Sequence, residues 1–204
     1  MQNKFKLSIN TGFALNRFAE AEDLANFCKN YLNIKFIQPT SDWLYLNMPR
    51  SFSMNHVNKI NKVFSRHNLE VNSTFTGAYT RLNHLAHPDK SHQDYWVNWF
   101  KHFINISVDL GAKYSGSHLG ILTYKDNKSK KRDSILINRV LRNWEKIAEY
   151  ASKKKLKALI WEPMSISREF GDTINECKKI QKKLNQKSKI NFKICLDMGH
   201  GNLN

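Results

Sequence analysis

The sequence predicts an α/β protein of the (β/α)8 TIM-barrel class, C-terminally incomplete, with about six βα units in its 204 residues. Three observations carry this. Apolar runs of strand length alternate strictly with apolar residues at helical spacing. Each unit takes roughly 33 residues, which suits a strand, a helix and two short connections. No glycine-rich phosphate loop follows the first strand, which argues against a dinucleotide-binding fold. With 41% hydrophobic and 12% aromatic residues the chain can bury one substantial core, and residues 1–204 read as a single, partial barrel domain.

Taken in order, residues 5–10 read as the first strand, and Phe18, Ala21, Leu24, Ala25, Cys28, Tyr31 and Leu32 then recur at helical spacing. Residues 34–38 form a second strand closed by Pro39, and Val57, Ile60, Val63 and Phe64 mark the second helix. Residues 69–75 are the third strand. A long polar loop, residues 76–91, leads into an amphipathic helix through Tyr95, Trp96, Trp99, Phe100, Phe103, Ile106 and Leu110, which Gly111 ends in the capping role. Residues 113–119 are poor in β-branched side chains but fall where the alternation requires a fourth strand. Leu136, Val140, Trp144, Ile147 and Ala151 give the fourth helix and residues 156–161 the fifth strand. Ile174, Cys177, Ile180 and Leu184 give the fifth helix, and residues 192–196 the sixth strand.

The start, Met1-Gln2-Asn3-Lys4-Phe5-Lys6, leads directly toward a strand, and no window approaches eighteen apolar residues. A soluble, cytoplasmic protein without a membrane partner is expected. Cys28, Cys177 and Cys195 show no C-x-x-C spacing, so reduced and mostly buried thiols are expected rather than a disulfide frame. The net charge of +16 invites a nucleic-acid reading, but its distribution weakens it. Residues 1–119 carry 13 basic and 8 acidic groups, whereas residues 120–190 carry 19 and 8. The excess lies on lysine-rich helix surfaces without interleaved aromatics, as solvated faces do, and no nucleic-acid partner is expected.

The chemistry is expected at two strand ends. Leu159-Ile160-Trp161-Glu162-Pro163-Met164-Ser165 and Cys195-Leu196-Asp197-Met198-Gly199-His200 each deliver an acidic residue where a turn begins. In a parallel barrel these ends share one face, so Glu162, Asp197 and His200 can reach one ion or its bound substrate. An acidic residue after an apolar run is also a common cap, and D-x-x-H recurs by chance. Two such pieces at successive strand ends weigh more than either alone. His118, at the end of strand four, either lines the pocket or is a satisfied structural group. His84 and His87 have i,i+3 spacing open to a metal, with substrate contact or loop packing the commoner outcome. Arg81 and Arg168 suit a phosphate or polyol, or are simply exposed. Trp161 and Trp43 either wall the pocket or join the core.

Four runs carry a further signal: Tyr79-Thr80-Arg81-Leu82-Asn83-His84-Leu85-Ala86-His87-Pro88-Asp89, Gly116-Ser117-His118-Leu119-Gly120, Trp161-Glu162-Pro163-Met164-Ser165-Ile166-Ser167-Arg168-Glu169 and Cys195-Leu196-Asp197-Met198-Gly199-His200-Gly201. They resemble the xylose-isomerase-like TIM-barrel family of sugar isomerases and epimerases, and within it the tetrulose-phosphate 3-epimerases of erythritol breakdown. The resemblance implies a divalent metal cation, Mn²⁺, Mg²⁺ or Co²⁺ with Zn²⁺ also suited, held by glutamate after strand five and aspartate after strand six. Glu162 and Asp197 match these, and His200 matches a histidine that lies beside the metal and contacts substrate. The family's ligands after strands seven and eight have no counterpart here. The implied substrate is a small-molecule sugar or sugar phosphate, and the implied reaction is proton abstraction next to a carbonyl through an enediolate. Glu162 would be one of two acid/base glutamates. The missing strands lead to the expectation that these residues alone self-associate, bind metal weakly and do not turn over substrate. A homo-oligomer stays open. So do an apurinic-endonuclease-like zinc nuclease of the same barrel family and a non-catalytic barrel fragment.

Overall fold

The computed structural model describes residues 5–200; residues 1–4, expected to lead into the first strand, and Gly201 of the last motif lie outside the described residues. The strands are β1 (Ser8–Asn10), β2 (Phe36–Gln38), β3 (Glu70–Val71), β4 (Ser73–Phe75), β5 (Tyr114–His118), β6 (Ala158–Glu162) and β7 (Asn191–Ile194). Every pairing is parallel and between sequence neighbours. The expected third strand comes as two halves separated at Asn72, β3 pairing with β2 and β4 with β5. Phe75 N–H donates to Pro39 O and Ser41 N–H to Phe75 O, each at 3.1 Å, so the ladder continues across the break. The result is one parallel sheet ordered as the sequence is, as in a (β/α) barrel wall.

Around it run α1 (Ala21–Asn26), α2 (Arg50–Arg66), α3 (Lys90–Asp109), the single turn α4 (Tyr124–Asn127), α5 (Lys130–Lys153) and α6 (Ile174–Lys187). Side-chain caps at Asp89, Thr123, Ser129 and Thr173 start four of these by accepting from backbone N–H groups in the first turn. Gly111, with φ of +79°, follows α3 in the left-handed conformation that a helix exit favours. The expected stripes on α2 and α5 are buried; on α3 Tyr95, and on α6 Ile174, turn outward. The first helix differs more. Phe18 precedes it, and a wide turn, Phe27–Tyr31, ends it; the extra residue breaks the 3.6 spacing and Tyr31 is exposed.

The two faces of the sheet are unlike. On the helix side Ile37, Thr74, Leu159 and Trp161 are buried, and Thr74 Oγ1 meets Ser107 Oγ of α3 at 2.7 Å and Ser115 Oγ at 3.1 Å. That contact explains why β5 has small polar residues where β-branched ones are usual. On the opposite face Gln38, Tyr114, Ile160 and Glu162 are only partly covered. Trp43 and Trp161 are core residues rather than pocket walls: Trp43 Nε1–H donates to Phe18 O and Trp161 Nε1–H to Gln181 Oε1. The loop after β4, expected to be polar, is instead packed, with Thr80, His84, Leu85 and Ala86 fully enclosed. No described helix is long and apolar enough to cross a membrane.

Candidate active site

β6 ends on Glu162, and its register with β5 puts His118 directly alongside. β7 is followed by Cys195, whose N–H donates to Trp161 O at 2.8 Å, so the chain stays against β6 until it reaches Asp197. There it curls into one short turn, Met198–His200, held by Gly199 N–H on Asp197 Oδ1 (2.8 Å) and His200 N–H on Asp197 O (3.1 Å). The turn brings His200 Nδ1 to 3.1 Å from Glu162 Oε1 and 3.3 Å from Asp197 Oδ2. Glu162, Asp197 and His200 thus offer one donor atom each, all within 4.8 Å of one another.

His200 Nδ1 is buried and, despite two adjacent carboxylates, lacks the alignment of a hydrogen bond to either. Two hard oxygens and an imidazole nitrogen converging on one point are a donor set that suits a divalent cation. Burial pushes the Glu162 carboxyl above its usual range; His200 opposes this, Asp197 adds to it and Arg81 opposes it. Cys195 is pushed up to about 11 by burial and by the two carboxylates, so it is a neutral thiol at the edge of the site.

A second group lies beside the first. Arg81 places its guanidinium on Glu169, Nε at 3.2 Å from Oε1 and Nη2 at 3.4 Å from Oε2, and ties the loop after β4 to the loop after β6. Glu169 is almost wholly buried, and sequence reasoning gave it no role although it ends one of the motif runs. His118 and His84 are both buried with ring centroids 5.1 Å apart. His87 does not join them: its ring stacks on His92 at 4.0 Å and its Nδ1 accepts from Asp89 N–H. Arg168 is half-buried, and its backbone carbonyl accepts from Leu122 N–H at 2.8 Å. The structure therefore brings Glu162, Asp197 and His200 into one cluster, sets His118 and Arg81 against it, and leaves His87 apart.

A family profile described as the xylose isomerase-like TIM barrel matches residues 30–204. The chain belongs to this family. This xylose isomerase-like barrel is 37% identical over 198 residues to D-erythrulose 1-phosphate 3-epimerase of Brucella abortus (strain 2308), covering 97% of this chain and 64% of that relative's length. A putative xylose isomerase from Rhodospirillum rubrum ATCC 11170 superposes with a TM-score of 0.91 at 24% identity, over 97% of this chain and 67% of the other. A D-psicose 3-epimerase from Clostridium cellulolyticum H10 superposes with a TM-score of 0.72 at 16% identity, over 98% and 66%. The structural likenesses show the fold, and the strand order and placement of β1 to β7 agree with it.

Proposed function

We propose that this protein is a divalent-metal-dependent isomerase or epimerase of a small ketose or ketose phosphate, of the tetrulose-phosphate 3-epimerase type. The observation that carries the reading is the convergence of Glu162, Asp197 and His200 on one point at the strand ends. The 37% identity to an enzyme named for D-erythrulose 1-phosphate supports that substrate class. A cytoplasmic role in erythritol catabolism fits the same reading, as do three free cysteines.

Glu162, Asp197 and His200 would hold the cation, with Mn²⁺, Mg²⁺ or Co²⁺ best suited to this donor set and Zn²⁺ acceptable to it. When bound, such an ion supplies Lewis-acid stabilisation of negative charge on the substrate's oxygens. Glu162 takes the proton from the carbon next to the carbonyl. Its carboxyl ends β6 and is largely buried, which holds it in place for that transfer. Electrons from the broken C–H bond move onto the carbonyl oxygen to give the enediolate; a proton delivered to the opposite face by a second acid or by solvent gives the epimer, and Glu162 releases the proton it took to solvent. Arg81 lowers the cost of negative charge near Glu162 while holding Glu169 in place. In this reading His118, beside Glu162 at the end of β5, is a substrate contact, and His84 and Arg168 are the further candidates for that role.

Metal titration of the full-length protein tests the reading. About one divalent ion per chain is expected, with the site lost in Asp197→Ala. Stoichiometric binding that survives this substitution would remove the cluster from the proposal.

A further inference from the structure

A cleft between two helices gathers positive charge over a buried polar floor. It lies between the start of α3 and the middle of α5, encloses about 290 Å³, and is lined by Lys90, Gln93, Arg139, Arg142, Asn143 and Lys146. Among the described residues no carboxylate lines it, and none of the lining belongs to the cluster of Glu162, Asp197 and His200.

The floor is built from the amides of Gln93 and Asn143, both buried. Lys146 Nζ–H donates to Asn143 Oδ1 at 3.5 Å, Asn143 Nδ2–H to Gln93 Oε1 at 2.9 Å, and Gln93 Nε2–H to His87 O at 2.6 Å. An ammonium only donates and a carbonyl only accepts, so the two ends of this chain fix the orientation of both amides. Each amide nitrogen then keeps a second N–H to give. Around the floor stand four cations. Lys90 is neutralised by Asp94, which leaves Arg139, Arg142 and Lys146. Arg139 is half-buried and is held in place by Nη1–H on Pro88 O at 3.3 Å. Like charges gathered in a concavity repel one another and focus a positive field into it, which an anion relieves. The lysines of α6 differ: Lys178 and Lys182 stand in solvent beside Gln181 and Asn185, neither of which is buried.

We propose that this cleft binds a phosphate dianion, free or as the monoester of a small molecule. Its lining offers two guanidiniums, an ammonium and two amide nitrogens, all of them donors, and a tetrahedral oxyanion accepts from that many directions at once. The volume is at the small end of ligand cavities and suits a single phosphate head rather than a large ligand. The site stands independently of the reaction at the strand ends.

Calorimetry of the full-length protein with inorganic phosphate, and separately with glycerol phosphate, tests the site at constant ionic strength. One saturable site is expected that persists in Asp197→Ala, and Arg139→Gln combined with Arg142→Gln weakens it about tenfold or more. Lys178→Gln combined with Lys182→Gln removes the same charge from α6 and is expected to leave it unchanged. Equal weakening in the two double variants, or titration without saturation, would reveal general attraction to a basic surface and overturn the proposal. So would loss of binding in Asp197→Ala, which would locate the anion in the carboxylate cluster. Phosphate should also shift the side-chain amide NMR signals of Gln93 and Asn143; saturation that leaves both unmoved contradicts the assignment. Saturation by both ligands assigns the cleft to phosphorylated small molecules, and saturation by inorganic phosphate alone assigns it to the free ion.

Discussion

Glu162 has two duties in this reading, ligand and base, and an isosteric change separates its chemistry from its packing. Glu162→Gln keeps the volume and is expected to lower kcat/KM by about 10²–10⁴-fold with little change in melting temperature; unchanged turnover would remove Glu162 from the mechanism. His118 predicts a pH effect on stability. Burial pushes its pKa down to about 4, so the unfolded chain, with imidazole near 6.5, binds more protons between these values. The contribution is fully present above about pH 6.5 and is lost as the pH falls toward 4. Urea unfolding across this window should show a shallower pH slope in His118→Phe than in the wild type. At this scale Glu162, Asp197 and His200 were legible because strand ends are visible as apolar runs that stop at a charge. Glu169 was not, since its partner Arg81 lies 88 positions away and only the folded loops bring the two together.

Among the elements, β5 shows how packing overrides propensity. Its Ser115-Gly116-Ser117 centre is a poor strand by composition, yet the space around it admits nothing larger. A Cβ on Gly116 would come within 2.4 Å of the Phe75 ring and 3.1 Å of Ile160 Cβ. Gly116→Ala is therefore expected to destabilise by about 1–3 kcal/mol, measured by urea unfolding; an unchanged midpoint would mean that Phe75 moves freely. The long helices were legible because their periodicity persists over several turns. The end of the first helix was misread because one extra residue in a wide turn rotates Tyr31 out of the stripe. The break at Asn72 left no mark in the sequence, because Leu69, Val71 and Phe75 keep an even spacing across it. The loop after β4 looked polar because its enclosed residues include Thr80 and His84.

For the whole molecule, the sheet is covered by helices on one face and only partly covered on the other. Among the described residues β1 and β7 each have one strand neighbour, and Phe5, Leu7, Leu196 and Met198 are exposed near them. Open ladder edges beside apolar side chains are templates for pairing. Residues 1–204 purified alone are expected to self-associate in sedimentation velocity, and a monodisperse monomer would show that these edges are shielded. The fold class was legible at this scale because βα alternation is a property of the entire chain. The charge of +16 was a weaker guide, since most of it lies on helix surfaces while one member, Arg132, pairs with the buried Asp126. The central claim is that Glu162 moves a proton at the carbon next to a ketose carbonyl. Incubating the full-length protein with D-erythrulose 1-phosphate and Mn²⁺ in D₂O and following carbon 3 by NMR tests it most directly. Deuterium should enter at carbon 3 as the epimer forms, and entry should stop with a chelator and in Glu162→Gln. Epimer formation without deuterium entry, or deuterium entry that Glu162→Gln leaves untouched, would contradict it.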